Sequence, residues 1–194
     1  MVEFVELEVV KEQKYIMIGL KRGTVKLMSH QEEWDKNAKN VIEILFEILK
    51  DITVDIQHIG STAITSIHAK PIIDIVVGVR DLNDILPYVE SLKHHDFIYH
   101  GEDVVGQMLF VMGDFENDIR THHIHVVKWN GTDWNNYVNF RDYLNAYPEK
   151  AMVYDNCKQK LAMQFPNDRK NYTAGKKELI NQLLKEASRW RAEQ

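Results

Sequence analysis

Hydrophobic residues along this chain follow two rhythms, and the change from one to the other divides it. Val54 to Ile59 reads as a short strand, and Gly60-Ser61 breaks it. Ile72 to Val79 follows, nearly all β-branched and apolar. A run of that kind is usually buried on both faces of a sheet. Phe97 to His100, Gln107 to Met112 and Thr121 to Trp129 read as further strands, with a polar turn at Asp114 to Asp118 before the last. At the start of the chain, Phe4 to Val9 alternates and Tyr15 to Leu20 forms a second apolar run after polar residues. Two strands and a turn is the simplest reading there, and Val25 to Met28 adds a candidate third strand.

Helical spacing takes over elsewhere. Ser29-x-x-Glu32 has the spacing of a capping box. Trp34, Ala38, Val41, Ile42, Leu45, Phe46 and Leu49 follow it as one broad apolar face. The periodicity assigns both Trp34 and Phe46 to the core. Asp81 or Asp84 can cap a second helix carrying Leu82, Ile85, Leu86, Val89 and Leu92. Pro87 is tolerated only near a first turn, which favours a restart at Asp84. The last third of the chain is helical throughout, over Trp134 to Tyr147, Pro148 to Phe165 and Thr173 to Trp190. Pro148 suits a first helical position. Leu179, Ile180, Leu183, Leu184, Ala187 and Trp190 make the buried stripe of the final helix. The expected fold is therefore α+β: a mixed or largely antiparallel sheet backed by helices, with a C-terminal helical cap. A cleft between sheet and cap is a usual place for a ligand. Residues 1–28 form an N-terminal hairpin extension in this scheme, and residues 29–194 the main domain. The extension either covers a sheet edge or offers that edge for homodimerisation.

Composition narrows the function classes. The 194 residues carry a formal net charge of -5, which argues against a nucleic-acid partner. One cysteine, Cys157, excludes an internal disulfide and a cysteine-based zinc cage. Its helical setting suggests a small buried apolar group. No apolar run approaches the roughly 18 residues a membrane helix needs, and Met1 to Glu8 is too short and acidic for a signal peptide. A cytoplasmic protein with a small-molecule substrate and no membrane partner is the expectation.

Asp74 is the residue that most needs an explanation. A carboxylate inside an apolar strand is costly unless it is paired, hydrogen-bonded or metal-bound. Pairing with Lys70 or with backbone amides is the simple structural answer. On the later strand, alternation puts His123 and His125 on one face, about 7 Å apart along the backbone. With Asp74 they could form a two-histidine, one-carboxylate metal set. Gly60 allows close backbone approach, and Ser61 and Thr62 add hydroxyls and amides at a short turn suited to phosphate. Lys70, before Pro71, is either a phosphate contact or a solvated lysine. Arg141 and Lys176 could cross the cleft to phosphate or pair with Asp142 and Glu178. Tyr172 suits either core packing or base stacking.

Several of these residues fall in one ordered set: His58 to Thr62, Ala69 to Ile75, His123 to Val126, Phe140 to Leu144, Lys158 to Ala162 and Tyr172 to Lys176. In that order the chain resembles the GrpB family, a branch of the nucleotidyltransferase superfamily, from about Trp34 to Trp190. The resemblance implies a nucleotidyltransferase-like fold. In that superfamily, Asp-x-Asp carboxylates hold divalent metal against nucleotide phosphates. Here the second position is Val76, Gln57 stands where the family usually has Glu, and Gln107-Met108 where relatives tend to be basic.

On this basis the first expectation is an enzyme moving a nucleotidyl or phosphoryl group from a nucleoside triphosphate to a small acceptor. Asp74, Ser61 and His123 would be catalytic. Gly60, Ser61, Thr62, Lys70, Arg141 and Lys176 would bind nucleotide phosphates. Asp74, His123 and His125 would hold Mg or Mn. A non-catalytic nucleotide- or metabolite-binding module, favoured by Val76, is the alternative. A metal-dependent enzyme of another class is the third reading. The site requires Ser61, Asp74 and His123 to line one pocket.

Overall fold

Residues 17–194 are described by a computed structural model. Its elements in chain order are β1 (Leu20–Lys21), α1 (Glu32–Leu49), β2 (Thr53–Ile59), β3 (Ile73–Val79), α2 (Val89–Lys93), β4 (Ile98–Val104), β5 (Gln107–Met112), β6 (Ile119–Arg120) and β7 (His122–Lys128). Three long helices follow: α3 (Thr132–Ala146), α4 (Pro148–Gln164) and α5 (Arg169–Ala192). Short 3₁₀ turns lie at Ser61–Ala63 and Leu82–Tyr88. The main sheet has the order β2-β3-β7-β5-β4. Only β3 and β7 are parallel; the other neighbouring pairs are antiparallel. The fold is the expected mixed sheet backed by helices, with a C-terminal helical cap.

Alternation along β3 decides what each layer buries. Ile73, Ile75, Val77 and Val79 point to one face, where Ile124, Val126, Phe110 and Met108 join them against Trp34, Ala38, Val41, Leu45 and Leu49 of α1. Each Val, Leu, Ile, Phe or Met among them, fully buried, stabilises the fold by about 1.5–3 kcal/mol. Asp74 and Val76 point to the opposite face. There Val76, Ile59 and Val127 pack under Trp134 of α3. Gly78 is needed at that end, because a Cβ there would lie 2.8 Å from the Trp134 ring. Beyond it, α3, α4 and α5 bury Tyr143, Leu144, Ala151, Tyr154, Leu183 and Ala187 together with Ile64 and Ile67. The helical cap thus seals the Val76 end of the sheet face, while the Asp74 end borders a cavity.

Several local expectations need correction. α1 starts after Gln31, with no side-chain cap, and Ser29 instead hydrogen-bonds His68. Phe46 is 52% exposed, since it sits at the edge of the stripe that Leu45 and Leu49 bury. Val25 to Met28 makes one isolated bridge, between Met28 and Ala69, rather than a strand. Asp81 caps the 3₁₀ turn that contains Pro87, and the α-helix restarts at Val89. α5 begins four residues earlier than the periodicity suggested, because the Asp168 carboxylate accepts from the Asn171 amide. Cys157 is half-buried. The Phe4 to Val9 strand and the dimer edge it would offer lie outside the described residues; Leu20–Lys21 pairs with β6.

Candidate functional site

The parallel register of β3 and β7 sets Asp74 opposite His123 and Val76 opposite His125. Asp74 Oδ1 lies 3.1 Å from His123 Nδ1 and 3.7 Å from His125 Nε2. The Asp74 side chain is 29% exposed. Burial pulls its carboxyl upward, but the two imidazoles win and hold it well below the ordinary carboxylate range. Lys70 is not its pairing partner, so the histidines are what compensate this buried charge.

Gly60 ends β2 beside this group. Its φ of 71° with ψ of −169° is a conformation open to glycine. A Cβ there would also lie 2.5 Å from Asp74 Oδ2. The glycine that sequence reasoning assigned to ligand approach therefore first serves to admit the Asp74 carboxylate. The Thr62 hydroxyl is hydrogen-bonded to His58 Nε2 at 2.9 Å, and His58 Nδ1 faces Asp35 at 3.5 Å. Burial lowers His58 to about 4, against the pull of Asp35.

A cavity of about 470 Å³ opens over these residues. Gly60, Ser61, Thr62, Asp74 and His123 line its sheet side. Lys70, Lys158, Arg169 and Lys176 line it as well, with Tyr154 and Tyr172. Ser61, Asp74 and His123 thus share one pocket. Lys176 Nζ stands 4.5 Å from the Tyr172 ring centroid and Lys70 Nζ 5.5 Å from it. Burial brings Lys176 down to about 8, and neighbouring Lys70 pushes the same way. Lys70 is lowered too, by burial and then by Arg169. Lys158 is 1% exposed and falls to about 7, chiefly through burial, although Asp155 opposes the shift at 3.6 Å. Its ammonium also donates to the His68 carbonyl. Burial pushes the Tyr154 phenol up to about 12, opposed by its interaction with Ser61. Cations crowded in a partly dry cavity repel one another, and an anion placed among them relieves that cost.

Two expected residues stand elsewhere. Arg141 does not line the cavity; it donates to Asp142 and, at 2.8 Å, to the His58 carbonyl, fastening α3 to β2. His125 Nε2 faces Asp74, and its ring packs 5.2 Å from that of Tyr137, but of these two only Tyr137 belongs to the cavity lining. Lys158, Arg169, Tyr154 and Asp133 line the cavity although sequence reasoning gave them no role. Tyr154 and Lys158 are four apart on α4, which was the available signal; Arg169 follows the Asp168 cap, a signal for helix start and nothing more.

Asp74, His123 and His125 each offer one ligand atom, all within 4.8 Å of one another. They could hold a metal ion with coordination positions left for a ligand. Among the described residues no helix is long and apolar enough to cross a membrane.

Comparison with known proteins agrees with this architecture. The sequence profile of the family described as GrpB protein matches residues 24–186. The glutamate-rich protein GrpB of Alkalihalophilus pseudofirmus is 41% identical over 174 residues, covering 88% of this chain and 99% of that protein. YqkA of Bacillus subtilis is 30% identical over 97% of this chain, which spans only 55% of YqkA. The crystal structure of the conserved protein GrpB from Enterococcus faecalis superposes with a TM-score of 0.77 at 29% identity, covering 84% of this chain and 96% of that one. Cid1, solved in complex with its short product ApU, superposes with a TM-score of 0.50 at 13% identity, over 71% of this chain and 43% of Cid1. The last likeness concerns the fold, which is nucleotidyltransferase-like.

Proposed function

The chain belongs to the GrpB family, and from that premise we propose that its cavity binds a nucleoside triphosphate and moves a nucleotidyl or phosphoryl group to a small acceptor. The observation that carries this reading is one cavity bringing Asp74 and His123 together with Lys70, Lys158, Arg169 and Lys176. Metal-ligating groups and crowded cations within about 470 Å³ suit a polyphosphate, and the volume suits a nucleotide-sized ligand. In the step proposed, an acceptor hydroxyl oxygen attacks phosphorus and the bond to the bridging oxygen breaks. Pyrophosphate, or the nucleoside diphosphate, leaves with the electron pair, and the acceptor proton passes to a base. Lys70, Lys176 and Arg169 offset charge building on the transferred group. Tyr172 offers a ring beside the ammoniums for packing against the ligand. A divalent ion held on Asp74 would polarise the phosphoryl oxygens when bound.

Val76 favours a second reading. It is fully buried under Trp134 where the superfamily pattern has a carboxylate, so the strand offers one carboxylate to the cavity. That arrangement suits a module that binds nucleotide without transferring it. Thermal-shift titration with ATP, GTP, CTP and UTP separates the two, each with and without Mg or Mn, on wild type and Asp74→Ala. Ligand at a hundred times its dissociation constant stabilises the fold by about 2.7 kcal/mol. A metal-dependent shift with one nucleotide, lost in Asp74→Ala, supports transfer. A metal-independent shift supports the binding module. No shift with any nucleotide ends both.

A further inference from the structure

The donor set around Asp74 is unusual for the hard cation that polyphosphate chemistry most often uses. Mg(II) demands near-octahedral oxygen ligands, holds its water tightly, and is usually bound through one or two carboxylates plus substrate phosphates. The candidate centre combines two imidazole nitrogens and a single carboxylate, with Asp74 and His123 on the cavity wall and His125 outside its lining. Imidazole suits zinc, copper, iron and nickel, and divalent affinity rises from manganese through cobalt and nickel to a peak at copper before falling to zinc. Residue types alone therefore point away from magnesium.

Position points the same way. His123 Nδ1 and His125 Nε2 both converge on one oxygen, Asp74 Oδ1, at 3.1 and 3.7 Å. In a tetrahedral centre with bonds of about 2.0–2.1 Å, neighbouring ligand atoms stand roughly 3.3 Å apart. The two spacings to Asp74 fall on either side of that value, and all three ligand atoms lie within 4.8 Å of one another, so the rings would draw together around a bound ion. The strands that carry the ligands are rigid: β3 and β7 are paired along seven residues in parallel register. His125 Nδ1 is buried with no hydrogen-bond partner among the described residues. The ring proton can therefore move to Nδ1 when Nε2 turns its lone pair from the Asp74 carboxylate to a cation. Three protein ligands also leave a position for a further one, the pattern of reactive rather than purely structural centres.

We propose that Asp74, His123 and His125 form a transition-metal site of the zinc class, which loads without nucleotide and discriminates against magnesium. The proposal rests on the cavity reading above only in placing a cation there, and it does not need the nucleotide. Asp74 and His123 line the cavity, so a phosphate or another anionic oxygen group bound there would be placed to complete the shell of a metal held on these residues. Lys70 and Lys176 then meet the outer oxygens of the same group.

The test is direct metal binding to tag-free, chelator-stripped protein. Co(II) serves as a spectroscopic stand-in for zinc and is titrated while its visible absorption is followed; Zn(II), Mn(II) and Mg(II) then compete against it. Expected is one Co(II) per chain with d–d bands of a low-coordinate site, displacement by Zn(II), weaker displacement by Mn(II), and none by Mg(II) in hundredfold excess. His123→Ala and His125→Gln each weaken binding by more than the roughly 10–100-fold that loss of an outer-shell partner costs, because each removes a ligand outright. Thermal unfolding of the stripped variants shows that they remain folded. Should a variant unfold, His125→Asn and Asp74→Asn give the same comparison. His94→Ala, a helix-end histidine bound to the Glu90 carbonyl, leaves binding unchanged. Absence of a stoichiometric Co(II) site overturns the proposal. So does binding that survives all the site variants, or displacement by Mg(II) at concentrations comparable to Zn(II). The nucleotide titration on the same samples keeps the two ideas apart. A metal site without nucleotide binding removes the transfer reading alone, and nucleotide binding without a Co(II) site removes this one.

Discussion

Gly60→Ala is the substitution whose cost the structure states most directly. Two penalties add. The backbone at position 60, with φ of 71° and ψ of −169°, lies where a residue with a Cβ pays about 1–3 kcal/mol. The new Cβ would also stand 2.5 Å from Asp74 Oδ2 and 3.0 Å from Asp74 Cβ, an overpacking worth another ~1–3 kcal/mol. The sum, roughly 2–6 kcal/mol, is a large part of an ordinary domain's stability. Urea unfolding followed by tryptophan fluorescence measures it. Gly106→Ala is the control: φ there is 84°, but no atom lies within 4 Å of a built Cβ, so it reports backbone strain without a clash. A double-mutant cycle isolates the contact itself. In the Asp74→Ala background, Gly60→Ala should cost about 1–3 kcal/mol less, because the carboxylate it strikes is gone. If Gly60→Ala falls within 0.5 kcal/mol of wild type, or the cycle is additive, the argument that Gly60 makes room for Asp74 is refuted.

The roles of the cations separate by assay. Arg141→Ala should lower stability by about 1.5–3 kcal/mol through its lost charged hydrogen bonds to Asp142 and the His58 carbonyl, while phosphate affinity stays unchanged. Lys176→Ala should do the reverse, weakening inorganic phosphate binding by calorimetry with little loss of stability. Lys158 gives a pH signature. Burial lowers its folded pKa to about 7 while the unfolded side chain keeps a value near 10.4, so between those limits the unfolded state binds the extra proton and wild-type stability rises with pH. Relative to Lys158→Met, wild type should therefore gain stability from about pH 7 towards about pH 10 in urea titrations; a flat difference contradicts a lysine whose pKa burial has lowered. On α1, Leu45→Ala should cost about 2–5 kcal/mol and Phe46→Ser less than about 1 kcal/mol, since Leu45 is 1% exposed and Phe46 52%.

Periodicity in the chain was enough to locate the sheet strands, the amphipathic α1 and the three C-terminal helices, because alternation and 3.6-residue repeats are local consequences of what each face buries. The same alternation placed His123 and His125 on one face, and the cost of a lone carboxylate in an apolar strand marked Asp74. Boundaries were less legible where a tertiary contact competes with a local signal. Ser29 has the spacing of a cap, yet its hydroxyl goes to His68, 39 residues away along the chain and adjacent in space. Phe46 fits the helical stripe, but it falls at its margin and stays half exposed while Leu45 and Leu49 are buried.

The sequence by itself determined the elements, the polarity of each face and the residue types able to do chemistry, since these depend on neighbours within a turn or a strand. Tertiary structure alone decided their partners. The parallel register of β3 with β7 is what brings Asp74 against His123, and nothing in either strand's own pattern specifies which strand lies beside it. The docking of α4 and α5 is what turns Lys158, Arg169 and Lys176 toward the same cavity and leaves Arg141 outside it. Long side chains of like charge look alike in sequence. Which of them meets a ligand is settled by the long-range packing of the helices that carry them.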